Sequence, residues 1–380
     1  MDFSWTDEQL AYRKAAVDLG RQLNEGLIER DRAGELSLDG WRACARFGLQ
    51  GLPMPEAYGG AAADILTTML TMEGLGYGCR DNGLIFAINA QMWSVQMPIL
   101  DFGTPEQKER LLPPLVRGEW IGAHAMSEPD SGSDAYSLRA RAERRNDGYV
   151  LNGTKTFVTN APVADLTLVF ATIDRSKGMW GVTAFLVERG TPGFRVSRQI
   201  EKLGLRTSPM AEVVLEDCFL PEASRLGPEG AGAKIFNSSM EWERSCILAS
   251  HLGAMERQLE GSIRYARERQ QFGQPIGKFQ SVSNRIVDMR VRLETARLLL
   301  YKVAWMKKTG QPAVQEAALA KLYLSECFLQ SSLDAIRVYG GYGYMTEFEV
   351  ERDLRDSIGG TIYSGTSDIQ RVIAARLMGL

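Results

Sequence analysis

The stretch GYVLNGTKTFVTN at residues 148–160 decides the fold class, because it lies between two long regions with helical patterns. It is rich in Val, Thr and Phe and is bounded by turn residues, which is typical of a β-strand. Four further segments share this character and spacing, namely 164–174, 181–190, 193–200 and 210–220. Together they predict a compact β-sandwich or barrel in the middle of the chain.

Helical patterns flank this region on both sides. Residues 6–117 predict helices, and the first begins with Thr6 as N-cap and Gln9 at the capping-box position. The glycine-rich GPEGAGA at 227–233 lacks the spacing of a dinucleotide loop, so we interpret it as a loop before a helix. The predicted helices after it are 231–272, 278–309, 312–339, 347–356 and 367–377.

The predicted fold class is therefore α+β. We expect an N-terminal α-helical domain over residues 1–117, a central β-domain over 118–229 and a C-terminal four-helix bundle over 230–380.

The composition excludes several classes of protein. The net charge of −3 offers no basic surface for nucleic acid, and no apolar run is long enough to span a membrane. The five cysteines are scattered without a C-x-x-C motif, and MDFSWTDEQL is not a targeting peptide, so we expect a cytoplasmic protein with reduced thiols. With His124 and His251 as the two histidines, we expect no metal site.

The segment SSMEWERSC at 238–246 carries two carboxylates that a helix would point to different sides, since residues two apart do not face each other. Glu241 shares its side with polar residues, and Arg244 at i+3 can pair with it. Glu243 shares its side with small or apolar residues, namely Ser239, Cys246, Ile247 and Ser250. A carboxylate on such a surface is costly unless something uses it, so Glu243 is a candidate functional residue.

Five further segments are polar or rich in glycine. Taken singly they have ordinary explanations, since glycines between helices are usually C-caps and an arginine at a helix end can interact with the dipole. In their joint order and spacing they resemble the acyl-CoA dehydrogenase family from end to end. The segments are SEPDSGSD (127–134), LNGTKTFVTNAP (151–162), RERQQFGQPIGKFQ (267–280), YGGYGYM (339–345) and IYSGTSDIQR (362–371).

The resemblance implies FAD as cofactor, a homotetramer built as a dimer of dimers, and the three-part fold described above. It implies removal of an α-proton and a β-hydride from an acyl thioester. The positions that match those lining the isoalloxazine are Met126, Ser127, Phe157 and Thr159. Phe157 stands where tryptophan is common, and Ser133 matches a serine near the flavin pyrophosphate and the thioester.

Other positions match groups that hold the adenosine diphosphate half of FAD. Arg269, Phe272 and Gln280 would do so from a neighbouring subunit, and Gly340 and Gly341 would allow close approach of the backbone.

Two further sets complete the cofactor positions that the resemblance implies. Arg337 stands where many members have glutamine. Thr366 and Asp368 match the C-terminal cofactor loop.

The resemblance also identifies the base. Many members have a glutamate immediately before the Gly-Thr of the C-terminal loop, where this chain has Ser364. Isovaleryl-type members carry it on the long helix instead, and counting back from Phe272 that position is Glu243. Glu243 is therefore the expected base, and Arg244 beside it is a candidate substrate contact.

Three functions stay open at this point. The first is a dehydrogenase of an acyl-CoA or of a carrier-protein-bound acyl group, with an electron-transfer flavoprotein or oxygen as acceptor. Within it, several segments are most similar to enzymes that oxidise prolyl groups on a peptidyl carrier protein to pyrrole-2-carboxyl thioesters. The second is a flavin oxidase or monooxygenase on the same fold. The third is a scaffold that has lost its flavin.

Overall fold

The computed structural model describes residues 4–380. The N-terminal part consists of seven helices, and Thr6 caps the first one through the predicted capping box with Gln9. A π-helical turn at Met92–Gln96 joins the fifth helix to the sixth. The helices are α1 (Asp7–Gln22), α2 (Leu27–Ala33), α3 (Leu38–Phe47), α4 (Ile65–Gly78), α5 (Asn82–Gln91), α6 (Met97–Phe102) and α7 (Pro105–Val116).

The central part is one eight-stranded sheet that encloses its own apolar core. The strands are β1 (Gly122–Ala125), β2 (Arg141–Arg145), β3 (Gly148–Thr159), β4 (Leu166–Thr172), β5 (Val182–Glu188), β6 (Phe194–Gln199), β7 (Met210–Pro221) and β8 (Arg225–Leu226). Their order is β6-β7-β3-β2-β4-β5-β8, and β1 pairs in parallel with β4. The five predicted strands are present, whereas β1, β2 and β8 were not predicted.

The C-terminal part consists of six helices and a short hairpin. They are α8 (Gly232–Cys246), α9 (Ala249–Glu268), α10 (Gln280–Lys308), α11 (Val314–Tyr339), α12 (Val350–Gly360) and α13 (Ser367–Leu377), with the hairpin β9 (Gln270–Gln271) and β10 (Gln274–Pro275) before α10. The other helices of this part pack around α11.

The single helix predicted over 231–272 is wrong, because the chain breaks at Ile247 and Leu248 and ends its second helix at Glu268. Ser245 and Ser250 flank the break, and their hydroxyls donate to the backbone carbonyls of Glu241 and Ile247. Such bonding back to the preceding turn weakens and bends helices. The two serines thus accompany the separation of α8 from α9.

A second apolar core joins the N-terminal helices, the adjoining face of the sheet and the C-terminal helices. Residues of α5, the π-helical turn, β1 and α8 meet in this layer. The candidate site lies here, between the three parts of the chain.

Candidate active site

Glu243 is buried on α8, with only 8% of its surface exposed. The hydroxyl of Ser94 donates to its Oε2, and the hydroxyl of Ser364 donates to its Oε1. Ser239 and Cys246, on the same side of α8, are fully buried, as the pattern predicted. Glu243 is thus a desolvated carboxylate whose two oxygens each accept a hydrogen bond from a hydroxyl group.

Ser364 lies in a loop that is held from several directions. Its φ of +56° is in the left-handed region, which residues with a Cβ seldom adopt. Its carbonyl oxygen accepts bonds from Arg244 Nε at 3.0 Å and Gln370 Nε2 at 3.1 Å. The next carbonyl, that of Gly365, accepts from Lys321 Nζ at 2.7 Å. These bonds fix the loop beside Glu243.

Two cations lie near this loop. Burial, followed by the charge of Arg244, lowers the pKa of Lys321 to about 8. Burial likewise lowers the pKa of Arg244, against the opposing effect of Glu243. Within residues 4–380, neither cation forms an ion pair with Glu243.

The suggested pairing of Glu241 with Arg244 is wrong. Glu241 Oε1 lies 2.8 Å from Lys307 Nζ, and that ammonium also lies 4.1 Å from the ring centroid of Trp242. Lys307 belongs to α10, so this contact is not visible from the local pattern of α8. Glu241 is therefore a structural ion-pair residue, and Glu243 is the carboxylate at the centre of the site.

The expected flavin-lining residues converge on the end of β3. Phe157 has φ +55° at a β-bulge between Lys155 and Val158, and its ring is 63% exposed. Val158 packs into the sheet core, whereas Thr159 beside it is partly exposed. An exposed aromatic ring held at a bulge offers an apolar surface on which a flat ligand can pack.

Met126 and Ser127 lie directly beside this strand. The carbonyl of Ser127 accepts from the backbone N–H of Thr156 at 2.9 Å. The carbonyl of Met126 accepts from Lys155 Nζ at 3.0 Å. The structure therefore brings Met126, Ser127, Phe157 and Thr159 together.

A buried ion pair supports this segment. Lys155 Nζ lies 2.7 Å from Glu128 Oε1, and both side chains are almost fully buried. Glu128 also accepts from the backbone N–H groups of Arg139 and Ala140. Burial lowers the pKa of Lys155 to about 8, although Glu128 opposes the shift. The pair fastens the loop that begins at Ser127 to the sheet.

The same loop reaches α8 at its far end. Tyr136 Oη donates to Asn237 Oδ1 at 2.8 Å, which joins the loop to the helix that carries Glu243. Ser133 is exposed in this loop. The loop thus connects the flavin-lining strand to the helix of the candidate base.

A second site lies at the other end of the C-terminal helices. A cavity of about 590 Å³ is lined by Arg269, Gly340, Gly341 and neighbouring aromatic residues. The guanidinium of Arg269 lies 5.6 Å from the ring centroid of Tyr342. Gly340 has φ +60°, and a Cβ at either glycine would meet no atom within 4 Å. The cavity therefore offers a cation and open backbone to a ligand.

Phe272 and Gln280 border this end of the molecule. Phe272 occupies the tip of the β9–β10 hairpin with φ +51°, and its ring is 93% exposed. It contacts Phe279, which immediately precedes the exposed Gln280. An aromatic ring presented in this way is available to another chain.

The remaining predicted residues already have partners within the chain. Arg337 Nη1 donates to Asp334 at 3.2 Å. Thr366 caps α13 by accepting from the N–H of Ile369, and the exposed Asp368 pairs with Arg371.

The predicted residues thus lie at two places in the fold, near β3 and α8 and at the C-terminal end of α9. Helix α9 has 20 residues, so its ends are about 30 Å apart. Ala249 at its start is close to Glu243 in the chain, and Arg269 follows its end. Glu243 and Arg269 therefore lie near opposite ends of α9.

Ser94, Lys155 and Lys321 were missed by the sequence analysis. Ser94 is a single hydroxyl in an otherwise apolar or uncharged run, and its partner is 149 residues away in the chain. Both lysines are fully buried, and no local pattern indicates burial of a lysine. In residues 4–380, no group of His, Cys, Asp and Glu side chains could hold a metal, and no helix is long and apolar enough to cross a membrane.

Models of the acyl-CoA dehydrogenase N-terminal, middle and C-terminal domains match residues 6–119, 123–218 and 230–379. The chain belongs to the acyl-CoA dehydrogenase family. The predicted three-part fold, the class of FAD-dependent oxidoreductase and the dehydrogenation of an acyl thioester are confirmed at the level of the family.

Three similar proteins share the whole length of this acyl-CoA dehydrogenase. L-prolyl peptidyl-carrier-protein dehydrogenase of Pseudomonas fluorescens is 45% identical over 383 residues, with 100% of both chains covered. The crystal structure of the prolyl acyl carrier protein oxidase AnaB is 52% identical with a TM-score of 0.98, covering 99% of this chain and 100% of that one. PigA with FAD and proline is 42% identical with a TM-score of 0.98 and full coverage of both chains.

The residues present fit FAD. The exposed ring of Phe157 provides an apolar surface for a flat heterocycle. Arg269 beside the open backbone of Gly340 provides charge and room for a diphosphate. This acyl-CoA dehydrogenase thus has residues suited to FAD at both sites.

Proposed function

We propose that this enzyme oxidises a prolyl group held as a thioester on a peptidyl carrier protein. The observation that carries the proposal is the polar surround of Glu243, whose carboxylate has the hydroxyls of Ser94 and Ser364 beside it. Both hydroxyls donate to Glu243, so their oxygens remain available to accept a bond from a substrate that carries an N–H group next to its α-carbon. The full-length similarity to prolyl-specific proteins supports the same substrate.

Glu243 is the base in this proposal. Its carboxylate takes the α-proton, and the electron pair of the broken C–H bond moves toward the thioester carbonyl. The FAD, when bound, accepts the hydride that leaves the β-carbon. Burial of Glu243 keeps water away from the carboxylate, and the exposed ring of Phe157 would cover the bound flavin. The Nη atoms of Arg244 donate to no acceptor in residues 4–380, so they are free to contact the substrate.

We further propose a homotetramer, a dimer of dimers, in which FAD contacts two chains. Met126, Ser127, Phe157 and Thr159 would hold the isoalloxazine, with Ser133 near the pyrophosphate and the thioester. Arg269, Phe272 and Gln280 would reach the adenosine diphosphate half from a neighbouring chain, with Gly340 and Gly341 allowing close approach of the backbone. Thr366 and Asp368 would belong to the C-terminal cofactor loop. The 30 Å length of α9 supports this division between chains.

An exposed apolar stripe on α10 supports the assembly. Val287, Val291, Leu298 and Trp305 are each more than half exposed. Their spacing of four, seven and seven residues keeps them on one face of the helix. Such a stripe on one helix is typical of an interface with another chain.

The electron acceptor is proposed as an electron-transfer flavoprotein or oxygen. The 52% identity to a protein described as an oxidase favours oxygen. The free and buried state of all five cysteines supports a cytoplasmic location.

The experiment follows bleaching of the flavin band after anaerobic addition of candidate substrates. The panel is prolyl-carrier protein, free proline, and short, branched and medium acyl-CoAs. Bleaching by prolyl-carrier protein alone is the expected result, and bleaching by an acyl-CoA alone would contradict the prolyl proposal. Oxygen is then readmitted to identify the electron acceptor. Reoxidation of the flavin within seconds identifies oxygen as that acceptor.

A further inference from the structure

The surroundings of Glu243 contain more than the base itself. We propose that Ser94 and Ser364 are positioning residues, whose two hydroxyls fix the Glu243 carboxylate in one orientation and stabilise its ionised form for proton abstraction. The inference rests on the proposed role of Glu243 as the base. This role accounts for the π-helical turn at Ser94 and the left-handed backbone of Ser364, which the reaction alone does not explain.

Each hydroxyl has a single partner. Ser94 is 2% exposed, and Glu243 is the one hydrogen-bonding partner of its hydroxyl in residues 4–380. Ser364 directs its hydroxyl to the other carboxylate oxygen and to no further group in that part of the chain. One donor on each oxygen prevents the carboxylate from turning about its terminal bond.

The backbone at both serines is irregular. Ser94 lies in the π-helical turn Met92–Gln96, and such single turns inside helices are frequent at functional sites. Ser364 lies in the left-handed region, where Arg244 and Gln370 hold its carbonyl. Backbone strain of this kind persists where the surrounding structure enforces it. Each irregular segment places a serine hydroxyl against the Glu243 carboxylate.

The charged groups around Glu243 bond to other atoms, so the two serine hydroxyls are the groups that orient its carboxylate. Arg244 from α8 and Lys321 from α11 bond to the carbonyls of Ser364 and Gly365 instead of to the carboxylate. Tyr363 is the third ionisable group whose pKa is affected by the charge of Glu243, and its hydroxyl bonds to His251. A direct ion pair would weaken the base, whereas hydroxyl donors stabilise the charge more mildly. A carboxylate offers about four lone-pair positions, so two remain for the α-proton.

The test compares variants of the flavin-loaded enzyme in anaerobic stopped-flow reduction from pH 5.5 to 9. The substrate is the thioester of the panel that bleaches the wild-type flavin. The variants are Ser94→Ala, Ser364→Ala, the double variant and Glu243→Gln. The control is Ser245→Ala, because this buried serine on α8 bonds only to a carbonyl of its own helix. Flavin content and melting temperature verify that each variant is folded.

Ser94→Ala and Ser364→Ala are each expected to slow reduction about 10- to 100-fold at pH 7, the loss typical of a hydrogen bond to a charged group. The acidic limb of the pH–rate profile should move up by about one pH unit. The isotope effect of an α-deuterated substrate should rise as proton removal becomes slower. Ser245→Ala should stay within about twofold of wild type, since the Ser245 hydroxyl bonds to the Glu241 carbonyl of its own helix and not to the Glu243 carboxylate.

Wild-type rates and an unmoved acidic limb in both single variants would overturn the inference. If Glu243→Gln is inactive at the same time, the base assignment survives and only the role of the serines is lost. Normal reduction by Glu243→Gln would remove the base assignment and this inference with it. If no thioester bleaches the wild-type flavin, the proposed function fails, and the inference falls with it.

Discussion

Arg244 follows Glu243 on α8, yet its Nε donates to the carbonyl oxygen of Ser364 at 3.0 Å. The hydroxyl of that same serine donates to Glu243. The cation therefore holds the backbone of the loop, and the loop in turn holds the carboxylate. A residue that follows the base in sequence thus acts on it through a segment 120 residues away.

Arg269 and Arg337 should differ in their effect on FAD. Arg269 lines the open cavity with Gly340, whereas Arg337 is bonded to Asp334, which also accepts from Arg285 and Arg292. Arg269→Ala is expected to weaken FAD binding 10- to 100-fold, the range for a hydrogen bond to a charged group. Titration of the apoenzyme with FAD measures this. Arg337→Ala should change the dissociation constant less than about threefold, and equal losses in both variants would contradict the division.

Removal of Lys155 should destabilise the protein strongly. Lys155→Met leaves the carboxylate of Glu128 buried without its cation, which costs about 3–5 kcal/mol. Urea unfolding of the flavin-loaded protein measures the change. The control is Lys14→Ala, because Lys14 pairs with Asp18 on the surface of α1 and its loss should cost less than ~0.5 kcal/mol. A loss below 1 kcal/mol in Lys155→Met would show that the pair does not fasten the flavin-lining segment.

His251 should make the protein sensitive to acid. Burial lowers its pKa from 6.5 to about 4. Above pH 6.5 neither the folded nor the unfolded histidine is charged, so it contributes nothing there. As the pH falls from 6.5 to 4, only the unfolded chain takes up the proton, and stability falls by about 3 kcal/mol at most.

The measurement is the melting temperature of wild type and His251→Gln between pH 7.5 and 4.5. Burial raises the pKa of Asp356 to about 7, which acts with the opposite sign, but it is common to both proteins and cancels in the difference. The variant should lose less stability toward low pH than wild type does. Parallel curves would exclude His251 as the source.

The stripe on α10 should hold chains together. Val291 and Leu298 are exposed on one helix face, so the double variant Val291→Asp, Leu298→Asp should dissociate and lose FAD if the cofactor contacts two chains. Light scattering and flavin absorbance measure both effects. Leu10→Asp on α1 is the control, since Leu10 is similarly exposed but isolated on the N-terminal helices. A variant that remains a tetramer with full FAD content would contradict the interface.

Much of the fold was predictable because its signals are local. The alternation and turn residues around β3 to β7 indicated strands, and Thr6 with Gln9 indicated the first helix start. The short β1, with small residues and one histidine, and the charged β2 carry no strand pattern, since they are defined by pairing with β4 and β3. The break at Ile247 contains neither glycine nor proline. The domain bounds at residues 117 and 229 stay predictions.

The candidate site was predictable only in part. Glu243 stood out because a carboxylate on a small, apolar helix side needs a reason. Its partner Ser94 could not be found, because a contact between residues 149 positions apart depends on the packing of α8 against the π-helical turn. The same holds for Lys307, which takes Glu241 away from Arg244.

The most direct test of the account is anaerobic flavin reduction by prolyl-carrier protein in Glu243→Gln, with Glu241→Gln as the matched control on the same helix. Both variants should retain FAD. Glu243→Gln should reduce at least about 10³-fold more slowly than wild type, within the range that a general base contributes, while Glu241→Gln should remain within about tenfold. Normal reduction by Glu243→Gln would contradict the central claim that Glu243 removes the α-proton.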